Sequence, residues 1–171
     1  MRTIKKVASH IFIDGFGGMT QGLFATLIIG TMIQQIGLLI GGSTGNVIYL
    51  LGKAAAALTS AGIGVGVAVK YGESPLVTVS AAVAAMVGGY AGKITGGTFF
   101  VDGNAVLAGP GEPLGAFIAA FAGITCGHLV SGKTKVDIIV TPAITIGAGS
   151  VVGLLVGPPI SQMTTGLGSI I

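Results

Sequence analysis

Long apolar stretches are the feature that most constrains how this chain can fold. Five of them come close to the roughly 20 mainly apolar residues that a membrane-spanning helix needs. They are Phe16–Ile40, Asn46–Val69, Leu76–Ala91, Leu114–Val130 and Ile138–Val156. Only 8% of the 171 residues are charged, whereas a soluble domain carries roughly 25%. The sequence therefore predicts an all-α, polytopic transmembrane helical bundle of about five spans. The tail from Pro158 on begins a sixth span or lies at the membrane interface.

Glycine is the second unusual feature of the composition, with 32 residues in 171. Small residues let helix backbones approach closely in lipid, where no hydrophobic drive to association exists. Because no short-period repeat accompanies the glycines, they indicate close helix packing rather than a solenoid. We expect residues 1–171 to form a single membrane domain.

The segment Lys93–Pro113, "KITGGTFFVDGNAVLAGPGEP", is too broken for a straight helix. Irregular backbone at membrane depth survives only where protein buries it or water reaches it. Two interpretations remain open, an external loop and a re-entrant hairpin exposed to a cavity. The apolar side chains in its middle, such as Phe99 and Phe100, favour the hairpin.

The basic residues predict the orientation of the chain. With a cytoplasmic N-terminus and five spans, most of them lie on the cytoplasmic side, as the positive-inside rule requires. They are Arg2, Lys5, Lys6, Lys70, Lys133 and Lys135. We therefore expect a multi-pass protein of the bacterial inner membrane, with the region of Asp102 and Glu112 on the outer side. The net charge of +3 is too small and too dispersed to predict a nucleic-acid partner.

Glu112, in "GPGEP", is the strongest candidate for a binding residue. Acidic residues in membrane segments are costly and mark functional sites, and a carboxylate can accept hydrogen bonds from the hydroxyl groups of a sugar-like ligand. The alternative is an N-terminal charge that complements the dipole of the next helix. Asp102 is predicted to be a turn residue, with a place in the same cavity as the alternative. We predict Glu112, its neighbour Gly111, Asp102 and His128 as substrate-binding candidates.

The other polar residues in apolar stretches have structural interpretations. His128 is more typical of a structural histidine bonded to a neighbouring carbonyl than of a ligand. Lys53 either snorkels to the interface, pairs with Asp14 or pairs with a partner subunit. Asp14 and Asp137 are expected to cap the first and fifth spans, with Pro142 bending the latter. Cys126 is expected to be a small buried hydrophobe.

No sequence motif indicates an enzyme acting alone. The chain has no nucleophile–base pair, no phosphate-binding loop and no cluster of residues at metal-ligand spacing. "GIGVG", Gly62–Gly66, lies inside an apolar span without a preceding strand and so does not indicate dinucleotide binding. We therefore predict no cofactor and no metal.

Three stretches resemble a bacterial membrane protein family. They are "GEPLGAFIAA" (Gly111–Ala120), "SGKTKVDIIVTP" (Ser131–Pro142) and "GLLVGPPIS" (Gly153–Ser161). Together they are similar to the enzyme IIC-like proteins of the phosphotransferase system, which include the regulator of perfringolysin production. The resemblance runs from Ile11 onward and implies the N-terminal half of a unit about twice as long. It implies that two copies assemble, that a separate partner supplies the other half, or that the chain is a fragment.

The resemblance implies a function in transport. Enzyme IIC proteins carry a sugar across the membrane while a cytosolic phosphotransferase component phosphorylates it. "GPGEP" is similar to the glycine-x-x-Glu-Pro motif that binds substrate in sugar-specific members, which implies that Glu112 is a sugar ligand. The expected function is therefore a permease subunit for a sugar or another small polar solute. The alternatives are a membrane-embedded regulator acting through a partner protein, a scaffold without a ligand and, least favoured, a channel.

Overall fold

The computed structural model describes residues 10–168 of the chain, with side chains from 13 to 164. Helix α1 spans residues 10–40, in which the π-helical segments His10–Gly15 and Phe24–Ile28 precede the α-helical segments Phe16–Leu23 and Ile29–Ile40. The remaining helices are α2 (Gly42–Ala57), α3 (Thr59–Lys70), α4 (Pro75–Gly89), α5 (Ala91–Thr95), α6 (Pro113–Val130) and α7 (Asp137–Gly168). Strands β1 (Phe100–Val101) and β2 (Asn104–Ala105) form an antiparallel hairpin between α5 and α6.

Local sequence explains where several helices begin. α1 turns back into α2 at Gly41 and Gly42, both at a φ of +66°, which is a left-handed conformation that favours glycine. α4 begins after Ser74, whose hydroxyl accepts a 3.4 Å hydrogen bond from the Val77 amide. Proline occupies the first turn of both α4 and α6, where its missing N–H costs nothing.

The bundle core consists of α3, α4, α6 and α7, with the first half of α1 packed on α3. Glycines bring the backbones together: a Cβ at Gly18 would lie 2.5 Å from the carbonyl oxygen of Gly66, and one at Gly115 would lie 2.6 Å from that of Gly88. No side chain fits between backbones this close. The high glycine content therefore does serve close helix packing, as predicted.

The count of five spans is higher than the structure supports. Within residues 10–168, three helices are long and apolar enough to cross a membrane, or four if the bent pair α2–α3 counts as one span. The difference arises at the predicted span Leu76–Ala91, where α4 has only 15 residues. The all-α prediction is confirmed apart from the small hairpin.

The tail does not begin a separate sixth span in the part of the chain described. α7 continues without interruption from Asp137 to Gly168, and Pro142, Pro158 and Pro159 lie inside it. The Asp137 carboxylate accepts hydrogen bonds from the Gly132 amide at 2.8 Å and the Thr141 hydroxyl at 2.6 Å. Asp137 therefore ties the preceding loop to the first turn of α7, rather than capping the helix from outside it as expected.

The prediction for Asp14 is wrong, and one of the three alternatives for Lys53 is excluded. Asp14 does not cap the first span, because the helix has already begun by His10. Lys53 does not pair with Asp14, because the two residues are far apart. Gly52, the neighbour of Lys53, packs against Gly30. Gly30 lies about 24 Å from Asp14 along α1, at a rise of 1.5 Å per residue. Separately, Cys126 is half-buried rather than buried.

Candidate functional site

The predicted span Asn46–Val69 is broken at Leu58, where the helix axis bends by 53° between α2 and α3. The break lies near mid-span, because α2 has 16 residues and α3 has 12. The Thr59 hydroxyl donates a 2.6 Å hydrogen bond back to the Ala56 carbonyl, which stabilises the tightened turn. Carbonyl groups at such a break lose their helical partners and need others.

The segment Val106–Glu112, which we call the return segment, runs from the hairpin to α6 and docks at this break. The Ser60 hydroxyl donates a 3.0 Å hydrogen bond to the Pro110 carbonyl. The Tyr90 hydroxyl contacts the carbonyl oxygens of Gly109 and, at 3.2 Å, of Ala57. Ser60 and Tyr90 are buried. The two side chains therefore fix the return segment against the helix break.

Lys93 provides a third anchor, nearer the surface. Its ammonium group donates a hydrogen bond to the Ala108 carbonyl and lies 5.3 Å from the centroid of the Tyr90 ring. A cation at this distance from an aromatic face is attracted by the ring quadrupole. Lys93 thus orders both the return segment and the tyrosine that holds it.

Gly111 occupies a position that other residues fill only with strain. Its φ is +77°, and a Cβ there would lie 2.5 Å from the Ser60 hydroxyl oxygen and 3.1 Å from the Gly89 carbonyl oxygen. Only glycine therefore lets the backbone of the return segment lie this close to the end of α4.

Glu112 lies at the start of α6 with both backbone groups engaged. Its amide donates a 2.7 Å hydrogen bond to the Gly89 carbonyl, and its carbonyl accepts one of 3.0 Å from the Ala116 amide. The side chain is half-buried and does not cap the helix. No hydrogen bond or ion pair joins its carboxylate to any residue between 10 and 168. The backbone is thus fixed while the carboxylate keeps its capacity to accept hydrogen bonds.

Asp102 lies at the exposed tip of the hairpin. Its φ of +50° and that of Gly103, +77°, are typical of a two-residue turn of the primed type, and the flanking pair is Val101 with Asn104. The prediction of a turn is confirmed. In the described structure, no hydrogen bond or ion pair joins Asp102 to Glu112.

His128 lies at the opposite end of α6 from Glu112, about 24 Å away along the helix at 1.5 Å per residue. Its Nδ1 lies 3.0 Å from a carboxylate oxygen of Glu73, and its partner is thus not the neighbouring carbonyl that we expected. The His128 side chain is 71% exposed and that of Glu73 only 8%. The structure therefore brings Gly111 and Glu112 together and leaves His128 and Asp102 elsewhere.

The sequence did not indicate that Ser60, Tyr90, Lys93 and Glu73 contribute to these contacts. Hydroxyl groups in apolar segments are common, and no spacing rule connects Ser60 with a carbonyl 50 residues away. The only available signal was Lys93, a basic residue that the orientation rule places on the outer side.

A cleft of about 330 Å³ lies beside this region, between α5 and the last third of α7. Its lining residues are Gly92, Thr95, Gly96, Pro158, Ser161 and Gln162. Hydroxyl and amide groups of this kind suit a polar solute. Glu112 is not among the lining residues. Within the described residues, no group of three or more metal-ligating side chains is present.

Helices of membrane-spanning length, close glycine packing and a span broken at mid-depth define a multi-pass membrane protein. The sequence model of the family described as "Phosphotransferase system, EIIC" matches residues 13–171. The chain therefore belongs to the EIIC family, the membrane transport components of the phosphotransferase system. No curated protein and no solved structure matches the chain.

Proposed function

We propose that this chain is a transport subunit for a sugar or another small polar solute, and that Glu112 binds the solute. One observation carries the proposal: the return segment is fixed at a mid-span helix break, and the carboxylate of its last residue, Glu112, has no partner among residues 10–168. Transporters of known architecture place their substrate sites near the bilayer midplane, at discontinuous helices.

The depth of the site supports this assignment. A Cβ at Gly153 of α7 would lie 2.8 Å from the Cα of Gly88, so Gly153 lies level with the end of α4. α7 then continues to Gly168, about 22 Å further at 1.5 Å per residue. Because Glu112 is bonded to Gly89, it is recessed by about that distance from the end of α7. This depth favours the re-entrant interpretation of Lys93–Pro113 over an external loop.

The chemistry of the site suits a polyhydroxylated ligand. A carboxylate is an acceptor with two oxygens, and it can hold two adjacent hydroxyl groups of a sugar at once. Gly111 and Pro113 on either side keep the backbone near the carboxylate free of bulky side chains. Solute binding would then replace water at an oxygen that the protein itself leaves unpaired.

Glu112→Gln tests the proposal, because the amide keeps the shape of the side chain and removes its charge. A hydrogen bond to a charged group contributes about 1.5–3 kcal/mol, so we expect the affinity for the transported sugar to fall by roughly 10- to 150-fold. Radiolabelled sugars can be screened for binding to the purified chain in nanodiscs, with Asp102→Asn as the matched control. Equal affinity of Glu112→Gln and wild type for a sugar that binds would refute the role of Glu112. Binding without uptake into vesicles would favour a regulator.

The proposal includes an orientation in the bacterial inner membrane, with the N-terminus in the cytoplasm and cytosolic phosphotransferase components as partners. Lys70 at the end of α3 and the two lysines after α6, Lys133 and Lys135, support it. In right-side-out vesicles of a Cys126→Ser variant, we expect an impermeant thiol reagent to label a cysteine at Gly103 and not one at Gly132. Labelling of Gly132→Cys alone would reverse the orientation.

A further inference from the structure

The cleft of about 330 Å³ between α5 and α7 has an unusual lining for a chain this apolar. Three of its six lining residues carry a hydroxyl or amide group, two are glycines, and the last is Pro158. Among the described residues, no charged side chain and no leucine, isoleucine, valine or phenylalanine lines it. In a chain that is 51% hydrophobic, this lining indicates contact with a polar, uncharged group rather than with lipid tails.

Glycine brings α5 and α7 together on one side of the cleft. A Cβ at Gly157 would lie 3.1 Å from the Gly88 carbonyl oxygen, and one at Gly92 would lie 2.9 Å from the hydroxyl oxygen of Ser161. Beyond these contacts α5 ends at Thr95, which is exposed. The cleft therefore has a fixed wall where the two backbones meet and an open side beyond the end of α5.

The side chains of the cleft provide both hydrogen-bond acceptors and donors. Thr95 donates its hydroxyl proton to the Ala91 carbonyl at 2.9 Å, and Ser161 donates to the Gly157 carbonyl at 3.1 Å. Each proton is thus used within its own helix, and the hydroxyl oxygens have lone pairs that accept. The Gln162 amide carries two N–H donors and an acceptor oxygen. This set matches a ligand rich in hydroxyl groups, since each hydroxyl group both donates and accepts.

An uncharged, polyhydroxylated solute fits this lining better than a phospholipid headgroup does. The phosphate of a headgroup is bound most strongly by a cationic side chain. Lys93 does not line the cleft, and its ammonium group bonds to the Ala108 carbonyl instead. The ring of Pro158 adds an apolar patch beside the polar groups, on which the C–H face of a sugar ring can pack.

The cleft lies on the outward side of Glu112 in the proposed orientation. Gly153 is level with Gly88, and Ser161 lies eight residues further along α7, which is about 12 Å. About 10 Å of α7 remains between Ser161 and Gly168. A solute that enters from the outer side therefore reaches the depth of the cleft before it reaches the depth of Glu112.

We propose that this cleft is a second, outer binding site for the uncharged, polyhydroxylated solute that Glu112 binds, an inference that rests on the proposed function for the identity of the solute. Thr95 and Gln162 bond its hydroxyl groups at the exposed mouth of the cleft, and the half-buried Ser161 bonds it further in. Hydrogen bonds to neutral groups contribute less than those to a carboxylate. The cleft is therefore the weaker of the two sites and captures the solute before it moves to Glu112.

Equilibrium binding in phosphatidylcholine nanodiscs tests the inference with four radiolabelled probes: glucose, galactose, mannitol and N-acetylglucosamine. We expect a probe that binds the wild-type chain to occupy two sites per chain, of which Glu112→Gln weakens only the tighter one. In the Glu112→Gln background, Thr95→Val combined with Gln162→Leu should lower the remaining affinity roughly 5- to 150-fold. The matched control, Thr98→Val with Gln21→Leu, removes the same groups at exposed positions outside the cleft and should leave both affinities unchanged.

The possible results separate the outer site from the proposed function. A single site per chain, weakened by Glu112→Gln, would refute the outer site and leave the proposed function intact. Equal affinities of the cleft variant and its matched control would also refute the outer site. Two sites of which only the cleft variant weakens one would support the cleft and refute the role of Glu112. If none of the four probes binds the wild-type chain, both proposals fail.

A second measurement locates the bound solute without counting sites. A single cysteine replaces Gly96 in the cleft, or Gly103 at the hairpin tip, in a background of Cys126→Ser and Glu112→Gln. An impermeant thiol reagent is then applied with and without a binding probe at ten times its dissociation constant. The probe should slow the labelling of Gly96→Cys roughly tenfold and leave the labelling of Gly103→Cys unchanged. Equal labelling of Gly96→Cys with and without the probe would overturn the inference.

Discussion

Tyr90→Phe isolates the bond that fixes the return segment at the helix break. The substitution removes one oxygen atom from a ring that is 1% exposed and leaves the ring itself in place. The carbonyls of Gly109 and Ala57 then lose the hydroxyl that contacts both of them. Leaving a buried acceptor unsatisfied costs about 1–3 kcal/mol.

The cost appears as local opening of the return segment. A free energy of 1–3 kcal/mol corresponds to a roughly 5- to 150-fold increase in the population of the open state. The Glu112 amide, bonded to the Gly89 carbonyl at 2.7 Å, reports this opening directly. We expect hydrogen exchange of residues 106–112 to accelerate by that factor in nanodiscs, while exchange within α6 stays unchanged.

The control is Tyr49→Phe, which removes a hydroxyl that makes no hydrogen bond among the described residues. It should leave exchange of the return segment as in wild type. Equal protection of residues 106–112 in Tyr90→Phe and wild type would refute the argument that Tyr90 holds the segment. Uniform acceleration throughout the chain would instead mean that the hydroxyl supports the whole bundle.

Two further predictions concern Gly111 and His128. Gly111→Ala adds left-handed strain of about 1–2 kcal/mol and a close contact with Ser60. Its thermal midpoint should fall more than that of the control Gly97→Ala, because Gly97 has a φ of +69° but open space around it. Equal shifts of the two midpoints would show that the contact with Ser60 has no effect. His128→Ala leaves the largely buried Glu73 carboxylate without its partner, at a cost of about 1–3 kcal/mol. It should lower the thermal midpoint and leave sugar affinity intact, and reduced affinity at unchanged stability would make His128 a ligand.

The helices of this protein were predictable because lipid imposes a simple requirement on sequence. A segment that crosses hydrocarbon must be apolar over its length, so composition alone located α1, α6 and α7. The break at Leu58 was not predictable, since it lies inside one long, mainly apolar stretch, Asn46–Val69. Neither glycine nor proline occupies the break itself, and the tightened turn depends on hydroxyl groups of Thr59 and Tyr90.

The candidate site was predictable only in part. Glu112 was identified because a carboxylate between glycines and prolines in an apolar chain is unusual. Ser60 and Tyr90 gave no such signal, because a hydroxyl that bonds to a carbonyl across the bundle looks in sequence like any other. The histidine was assigned to the wrong kind of partner because Glu73 is 55 residues away along the chain.

By itself, the sequence determined that this protein is helical, lies in a membrane and packs through glycine, because each of these properties depends on what a segment is made of. The tertiary structure decided where the second span breaks and which segment docks at the break. Those properties depend on which distant backbones approach one another. That approach is set by the combined fit of several helices, which no single segment encodes.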